Sequence, residues 1–439
     1  MSSAAILVLG LIALVAVLLC GVPIYLGFLL LNLAGVWIFF GNTGFGLLVN
    51  SMVDSLTSQS MTTIPLFVLM GEILFRSGAV EVVFDSVDEM IGRIRGRLYV
   101  FTIALSTLFG ALCGSAVAVV ALLGRSVLPI MHKRGYDIEL SAAVIQGGAS
   151  LAPIIPPSIL AVIIGSMANV SISGLLIAGI LPGLLLAGMS ICYVYWALWR
   201  DPSRAPKDEP DQVKEGSKAR RVAWALIRLL PFSLIIFSVM GLMLLGVATP
   251  SESAATGVLG SLLAAACYRK LSWVMLGQAL MSSVRISAMI LAIVATSILF
   301  GQLLAFTGAT TDLVTWTTKL NLHPQLMFWL MMAVPFVLCM FIDQLAFMLI
   351  AIPLYAPIVK TLGFDPIWFW TMFSINMTLA SLTPPFGYTM FALRAAAPEI
   401  ITLQQVFDAS WPITWVFVLG MVVMTVFPQI ITILPMLLK

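Results

Sequence analysis

The chain has 439 residues, of which 61% are hydrophobic and 9% are charged, and its net charge is +3. Because soluble domains carry about 25% charged residues, this composition excludes a soluble multidomain protein and predicts an integral membrane protein. The apolar runs are continuous rather than alternating, which favours membrane-spanning helices over a β-barrel. The small net charge gives no indication of a nucleic-acid partner.

The chain begins with two apolar helices, residues 4–20 and 22–40, which we assign with the loop after them to an N-terminal scaffold, residues 1–63. No Lys or Arg occurs before residue 20, so the charged start of a secretory signal is missing. We expect the first helix to be retained, with the N-terminus on the periplasmic side. The polar stretch 50–63 is expected to form a loop with a short surface helix.

Residues 98–124 form an apolar run between two basic clusters. Positively charged loops stay on the cytoplasmic side, so a single crossing would put one cluster outside. A re-entrant hairpin resolves this conflict because it returns the chain to its starting side, with a turn among the small residues of 109–115. A single tilted crossing is the alternative. This hairpin and the broken helix 137–166 belong to a first inverted repeat, residues 64–199.

Residues 200–221 are polar and rich in Pro, Lys and Arg, and they read as a cytoplasmic linker between two halves. Scaffold helices and an interfacial helix follow at 222–284, and a second inverted repeat occupies 285–439. Its expected parts are a hairpin at 326–352, a broken helix at 364–393 and a final helix at 411–434. On this path most of the 22 Lys and Arg residues lie on the inner side.

Matching residues at constant spacing indicate that the halves arose by duplication. Five residues of the first half recur 228 positions later: Pro129, Gly135, Asp137, Pro156 and Pro157 match Pro357, Gly363, Asp365, Pro384 and Pro385. The tetrapeptide Gly71-Glu72-Ile73-Leu74 similarly finds Gly301-Gln302-Leu303-Leu304, 230 positions later. We therefore predict an all-α, inverted-repeat transporter of the elevator type, with two re-entrant hairpins and two helices broken at Pro-Pro.

The paired prolines are the predicted working site. Each Pro removes an N–H and displaces a carbonyl one turn back, and bare backbone at membrane depth is tolerated where it lines a cavity. Broken helices direct N–H ends at anions and carbonyls at cations, so one device serves both a carboxylate and Na⁺. The expected sodium-binding residues are Gly114, Ser115, Gly148 and Ser150 in the first half, and Asp343, Thr378, Ser381 and Thr383 in the second. The expected substrate-binding residues are Pro156, Pro157, Ser158, Pro384, Pro385 and Gly387.

Several of these features also have a purely structural interpretation. Tandem prolines can simply kink a packed helix, and Asp343 would be a solvated turn if its hairpin were shallow, although an intramembrane acid is costly enough to suggest function. Glu72 lies near a predicted helix end and is expected to reach the interface. The five cysteines are expected to be buried and inert. We expect no catalytic residues and no metal besides Na⁺, because only two histidines, far apart, are present.

At these residues the chain resembles the large membrane subunit of tripartite ATP-independent periplasmic (TRAP) transporters. The matching stretches cover nearly the whole chain: Cys113-Gly114-Ser115-Ala116, residues 129–136, Ile155-Pro156-Pro157-Ser158, residues 248–255, Asp343 with Pro353 and Pro357, and Leu382-Thr383-Pro384-Pro385-Phe386-Gly387. Cys113 stands where the family more often has Ser, which weakens any claim on that side chain.

The resemblance implies sodium-driven uptake of a small organic acid across the bacterial inner membrane by an elevator mechanism. It also implies two partners, a small four-helix membrane subunit and a soluble periplasmic substrate-binding protein. No ATP site is expected, and the sequence has no Walker-type phosphate loop. The form Leu-Thr-Pro-Pro-Phe-Gly-Tyr resembles the branch associated with 2-oxo acids and other monocarboxylates. The competing hypotheses are a self-sufficient sodium/dicarboxylate symporter and a membrane enzyme.

Overall fold

A computed structural model of the chain describes residues 3–77, 95–206, 218–385 and 387–437. Within these ranges every regular element is a helix and no strand occurs. Residues 207–217 of the expected linker lie outside the described residues, as does Phe386 of the second Pro-Pro stretch. Six helical stretches of the described chain are long and apolar enough to span a bilayer: 24–57, 116–133, 172–200, 273–306, 344–361 and 403–426.

The described helices up to residue 200 are α1 Ser3–Leu19, α2 Ile24–Phe40, α3 Gly44–Thr57, α4 Gln59–Arg76, α5 Arg97–Cys113, α6 Ala116–Ser126, α7 Leu128–Lys133, α8 Ile138–Ala149, α9 Ile159–Met167, α10 Ile172–Ala178 and α11 Ile180–Arg200. The predicted first hairpin consists of α5 and α6. The predicted first broken helix consists of α8 and α9, separated by residues 150–158, which we call the first break.

The described helices after residue 217 are α12 Lys218–Leu244, α13 Pro250–Cys267, α14 Trp273–Phe306, α15 Ala309–Lys319, α16 Pro324–Cys339, α17 Gln344–Thr361, α18 Pro366–Ser381, α19 Tyr388–Ala396, α20 Leu403–Val426 and α21 Gln429–Met436. The predicted second hairpin consists of α16 and α17. The second broken helix consists of α18 and α19, separated by residues 382–387, the second break.

Close packing of small residues interlocks the two halves. A Cβ placed on Gly124 of the first hairpin would lie 2.9 Å from the Ala396 Cβ at the end of the second broken helix. A Cβ on Gly147 of the first broken helix would lie 2.9 Å from Ile413 of α20. Small residues let helix backbones approach closely, which is the usual way that helices associate in membranes. The hairpins and broken helices therefore share one buried core.

The stretch 50–63 is more helical than expected from its polar composition. Helix α3 continues to Thr57 and α4 begins at Gln59, so little loop remains. The reason is visible in the side chains: the Ser55 hydroxyl donates to the Ser51 carbonyl at 2.7 Å, and the Thr57 hydroxyl donates to the Val53 carbonyl at 2.8 Å. Hydroxyls that bond back one turn satisfy themselves within the helix, so these residues do not interrupt it.

Two other elements differ in their bounds from the expected ones. The expected change from an interfacial helix to a membrane helix near residue 285 falls inside α14, which runs without interruption from Trp273 to Phe306. The expected final helix 411–434 begins earlier, at Leu403, where Thr402 and Gln405 form a capping box. It ends at Val426, just before Pro428, and the short helix α21 follows.

The expectation of buried cysteines holds for Cys339 and is wrong for three others. Cys20, Cys192 and Cys267 are exposed on the surface of the chain, whereas Cys339 is buried. An apolar run in a membrane protein has one face toward lipid, so an apolar neighbourhood in sequence does not by itself mean burial inside the protein. In the described part of the chain these four thiols are free.

Candidate functional site

The first tip is the turn at Gly114 and Ser115 that joins α5 to α6. Gly114 ends α5 with φ +59°, a left-handed conformation that glycine adopts without a steric penalty. The Ser115 hydroxyl caps α6 and accepts a hydrogen bond from the Ala118 N–H at 3.4 Å. A Cβ on Gly114 would lie 3.1 Å from the Pro157 carbonyl oxygen. The first tip therefore lies against the first break.

The first break supplies the side chain that caps the helix after it. It contains a cis peptide bond between Pro156 and Pro157. Ser158, which is buried, caps α9 by accepting a hydrogen bond from the Ala161 N–H at 3.2 Å, and its hydroxyl donates to the Pro153 carbonyl. One side chain thus satisfies an N–H of the following helix and a carbonyl of the break.

The second tip is residues 340–343, between α16 and α17. Asp343 caps α17, and its Oδ1 accepts hydrogen bonds from the Leu345 N–H at 2.9 Å and the Ala346 N–H at 3.1 Å. Its side chain is exposed, whereas the next residue, Gln344, is buried. A carboxylate at a helix N-terminus is favoured by the helix dipole, so the second tip holds a negative charge that the first tip lacks.

The second break also contains a cis peptide bond, between Pro384 and Pro385, but it closes its helix end differently. Helix α19 begins at Tyr388 after Gly387, which has no side chain to cap it. The Thr389 hydroxyl donates to the Ser381 carbonyl at 3.1 Å, which satisfies a carbonyl at the end of α18. A Cβ on Gly387 would lie 2.8 Å from that same carbonyl oxygen, so the chain approaches itself too closely for a larger residue.

Both tips and the helices after both breaks line one cavity of about 570 Å³. Its opposite wall comes from α4 and α14. Most of the lining is apolar, and the polar side chains are Glu72, Ser115, Asp343, Gln344 and Tyr388. The cavity therefore joins segments that are far apart in the sequence, from Val68 of α4 to Tyr388 of α19.

Four helices begin at the cavity wall. Their first residues, Ala116 of α6, Ile159 of α9, Gln344 of α17 and Tyr388 of α19, all line it. The first turn of each helix has N–H groups without a partner inside the helix, and the macrodipole places partial positive charge there. The arrangement can attract an anion without any cationic side chain, and in the described chain no Lys, Arg or His lines the cavity.

The structure brings three of the sequence-predicted residues into the cavity, namely Gly114, Ser115 and Asp343. The predicted substrate-binding residues Pro156, Pro157, Ser158, Pro384, Pro385 and Gly387 lie in the two breaks, and their neighbours Pro153, Ile159 and Tyr388 are the ones that face the cavity. The remaining predicted sodium ligands lie deeper in the broken helices. They are Gly148, against Ser106, and the buried hydroxyl residues Ser150, Thr378, Ser381 and Thr383.

Those hydroxyls all bond to nearby backbone. Ser150 donates to the Gln146 carbonyl at 2.9 Å, and Thr378 donates to the Ser374 carbonyl at 3.0 Å. Ser381 and Thr383 donate to the Thr378 and Leu379 carbonyls at 2.7 and 2.8 Å. Each hydroxyl oxygen keeps lone pairs that can accept a cation, so their chemistry is compatible with sodium ligation. In the described chain no cluster of three His, Cys, Asp or Glu residues can hold a metal.

A buried polar chain connects the two broken helices through α20. The Ser410 hydroxyl lies 3.1 Å from the Gln146 Oε1 of α8. The Thr414 hydroxyl donates to the Ser410 carbonyl at 3.0 Å and lies 3.3 Å from the Thr383 hydroxyl in the second break. Gln146 in turn donates to the Val406 carbonyl at 3.3 Å. The side chains therefore tie α8 to the second break.

Sequence reasoning missed Glu72, Gln344 and Tyr388. Glu72 lies four residues before the end of α4, as expected, but it also faces the cavity, and its Oε2 is 3.0 Å from the Arg76 Nε. Two signals were available: Gly71-Glu72 is part of the repeated tetrapeptide, and Gln344 directly follows Asp343. Neither signal shows that these residues line a cavity, since that depends on packing between helices.

Comparison with known proteins places this architecture in a family. A family model described as "Tripartite ATP-independent periplasmic transporter, DctM component" matches residues 11–430. The chain is 29% identical over 419 residues to the ectoine TRAP transporter large permease of Halomonas elongata, covering 95% of this chain and 96% of that protein. It is 28% identical to the C4-dicarboxylate TRAP transporter large permease of Pseudomonas aeruginosa, covering 86% and 87%.

Solved structures support the fold. The chain matches the YdaH transporter of Alcanivorax borkumensis with a TM-score of 0.66 at 14% identity, over 89% of this chain and 91% of that one. It matches the MtrF transporter of Neisseria gonorrhoeae with a TM-score of 0.56 at 12% identity, over 88% and 84%. At such low identity the likeness concerns the fold alone.

Proposed function

This chain belongs to the DctM component family of tripartite ATP-independent periplasmic transporters, and from its cavity we propose that it carries out sodium-coupled uptake of a small organic acid by an elevator mechanism. The observation that carries the proposal is the single cavity lined by both hairpin tips and by the helices after both breaks. Helix N-termini supply the attraction for a carboxylate, and the tips and breaks supply oxygen ligands for Na⁺.

The proposed sodium sites use the sequence-predicted residues of each half. In the first half the ion is held near Gly114 and Ser115, with Gly148 and Ser150 behind them. In the second half it is held near Asp343, with Thr378, Ser381 and Thr383 behind it. The second site has a formal negative charge, which lowers the cost of moving a cation out of water.

The proposed moving unit consists of the two hairpins and the two broken helices. The hairpin arms have 17, 11, 16 and 18 residues. The proposed re-entrant course rests on the basic residues that flank 98–124 and not on helix length, since the stretches 116–133 and 344–361 are long and apolar enough to cross a bilayer. The unit would slide along the wall formed by α4 and α14, which Arg76 joins through bonds to Gln278 at 3.2 Å and Ser282 at 2.8 Å.

The proposed partners are a small four-helix membrane subunit and a soluble periplasmic binding protein, in the bacterial inner membrane with the N-terminus outside. The names of relatives mention ectoine, C4-dicarboxylates and sialic acid as their solutes. These solutes differ widely in structure, so they support a shared mechanism of delivery and release rather than one substrate for this chain.

Reconstitution into liposomes tests the proposal. The chain, its small subunit and its binding protein are incorporated with an inward sodium gradient, and uptake of a panel of radiolabelled acids is measured. We expect accumulation that requires both the gradient and the binding protein, and no ATP. Accumulation without the binding protein would instead identify a self-sufficient symporter. Accumulation without a sodium gradient would show that Na⁺ is not the coupling ion.

A further inference from the structure

The four helix N-termini at the cavity are not equivalent. The start of α6 is capped by Ser115, that of α9 by Ser158 and that of α17 by Asp343. The start of α19 follows Gly387 and has no side-chain cap. A helix of nine residues whose first residue, Tyr388, lines the cavity thus has its first-turn N–H groups without a capping side chain. A ligand carboxylate fits this position.

A second group in the same cavity also lacks a partner. Gln344 is only 8% exposed, lines the cavity, and its Oε1 has no hydrogen-bond partner. The Gln344 side chain lies beside the Tyr388 hydroxyl at the start of α19, and its Oε1 is the atom that remains without a partner. An unpaired buried acceptor is costly, so it is most simply explained by a ligand that donates a hydrogen bond there.

The charges of the cavity limit what else the ligand can carry. Asp343 and Glu72 both line it, and Glu72 faces it from the α4 wall. Arg76 pairs with Glu72 at 3.0 Å, is also bonded to Gln278 and Ser282 of α14, and does not itself line the cavity. Asp343 is the proposed sodium ligand, and among the described residues no Lys, Arg or His lines the cavity. A second carboxylate on the ligand would therefore approach two carboxylates without a cationic side chain beside it.

From these three observations we infer that the cavity takes a monocarboxylate with a hydrogen-bond donor, a hydroxyl or an amino group, beside its carboxylate. The carboxylate binds at the start of α19, and the donor binds the Gln344 Oε1. Glu72 and Asp343 disfavour dicarboxylates. This inference rests on the proposed function, and it replaces the 2-oxo acids suggested by the sequence with their hydroxy or amino counterparts, because a 2-oxo group offers no donor.

Binding of four acids with four carbons tests the inference. The affinities of the purified full-length chain for butanoate, 2-hydroxybutanoate, 2-oxobutanoate and butanedioate are measured by calorimetry in sodium buffer. We expect 2-hydroxybutanoate to bind about tenfold more tightly than butanoate and 2-oxobutanoate, as one added hydrogen bond predicts, and butanedioate to bind most weakly.

Substitution of Gln344 locates the effect. Gln344→Leu is expected to remove the advantage of 2-hydroxybutanoate over butanoate, about tenfold. Gln302→Leu is the matched control, since Gln302 is an exposed glutamine of α14 outside the cavity. Glu72→Gln is expected to raise the affinity for butanedioate relative to butanoate.

Four results would overturn the inference. They are equal binding of butanoate and 2-hydroxybutanoate, tighter binding of 2-oxobutanoate or butanedioate, equal weakening of all acids by Gln344→Leu, and no binding of any acid in the panel. If any of these occurs while liposomes still accumulate some other solute with sodium, the proposed function stands and only the substrate class falls. If no solute accumulates, the function itself falls.

Discussion

At the first break, Ser158 caps the helix that follows and donates a hydrogen bond to a carbonyl of the break. At the second break, Gly387 precedes α19 and provides no side-chain cap. The two hairpin tips differ in the charge of their capping residues. Ser115 is a neutral cap on the first hairpin, and Asp343 is a charged cap on the second. The two breaks share a cis Pro-Pro bond, but among the described helices that begin at the cavity only the one after the second break lacks a side-chain cap.

The supports of the two breaks also differ. The first break lies against the junction of α10 and α11, where a Cβ on Gly179 would be 2.2 Å from the Ile154 carbonyl oxygen. The second break relies on its own Gly387, folded against the Ser381 carbonyl. The comparison suggests that the first half mainly provides a braced frame and that the second half provides the chemistry that distinguishes ligands.

The largest expected effect comes from the negative charge of Asp343, which distinguishes the second tip from the first. Asp343→Ala should lower sodium-dependent uptake about 100-fold, because it removes the carboxylate from the second site, whereas Ser115→Ala should lower it about tenfold or less. Initial uptake rates are compared with the yield of folded protein after gel filtration. If Asp343→Ala reduced folded yield as much as uptake, the residue would be structural and the comparison between tips would fail.

The next effect concerns the bracing of the first break. Gly179→Ala should destabilise the protein by about 1–3 kcal/mol, because the new methyl group overlaps a backbone carbonyl that cannot rotate away. The melting temperature in detergent measures this. Gly188→Ala on the neighbouring α11 is the control, since its Cβ would meet nothing within 4 Å. Equal melting temperatures for the two variants would show that the first break is not held by this contact.

A smaller effect is expected at the cap of the first break. Ser158→Ala should cost about 1 kcal/mol of stability, because α9 loses its cap and the Pro153 carbonyl loses its donor. Ser171→Ala is a matched control, since Ser171 caps α10 from an exposed position with a bond of 3.1 Å from the Gly174 N–H. We expect the buried Ser158 to show the larger loss in thermal unfolding. A larger loss for Ser171→Ala would show that the hydrogen bonds of Ser158 do not stabilise the first break.

The smallest effect is expected for the contact between Thr383 and Thr414. Their hydroxyls lie 3.3 Å apart, and each can donate either to the other hydroxyl or to a carbonyl, that of Leu379 for Thr383 and that of Ser410 for Thr414. A double-mutant cycle with Thr383→Val and Thr414→Val should give a coupling of about 0.6 kcal/mol, the mean for side-chain hydrogen bonds between membrane helices. A coupling near zero would mean that α20 does not transmit changes between the breaks through these hydroxyls.

Three of the predicted site residues reach the cavity, and they were predictable from residue types whose effects are local. Tandem prolines interrupt a helix wherever they occur, and Gly114 and Asp343 suit a turn and a helix cap by their own chemistry. Three predicted residues therefore line the cavity. The roles of Glu72 and Gln344 were not predictable in this way, because a glutamate near a helix end and a glutamine after an aspartate are common on exposed surfaces as well.

By itself the sequence determined the class of protein and the positions of both breaks, since these depend on composition and on the covalent geometry of proline and glycine. Only the tertiary structure decided that both tips, both broken helices, α4 and α14 enclose one cavity, and that the start of α19 lies open beside Gln344. Those relations join residues far apart in the chain. They follow from how helices pack against each other, which no local pattern encodes.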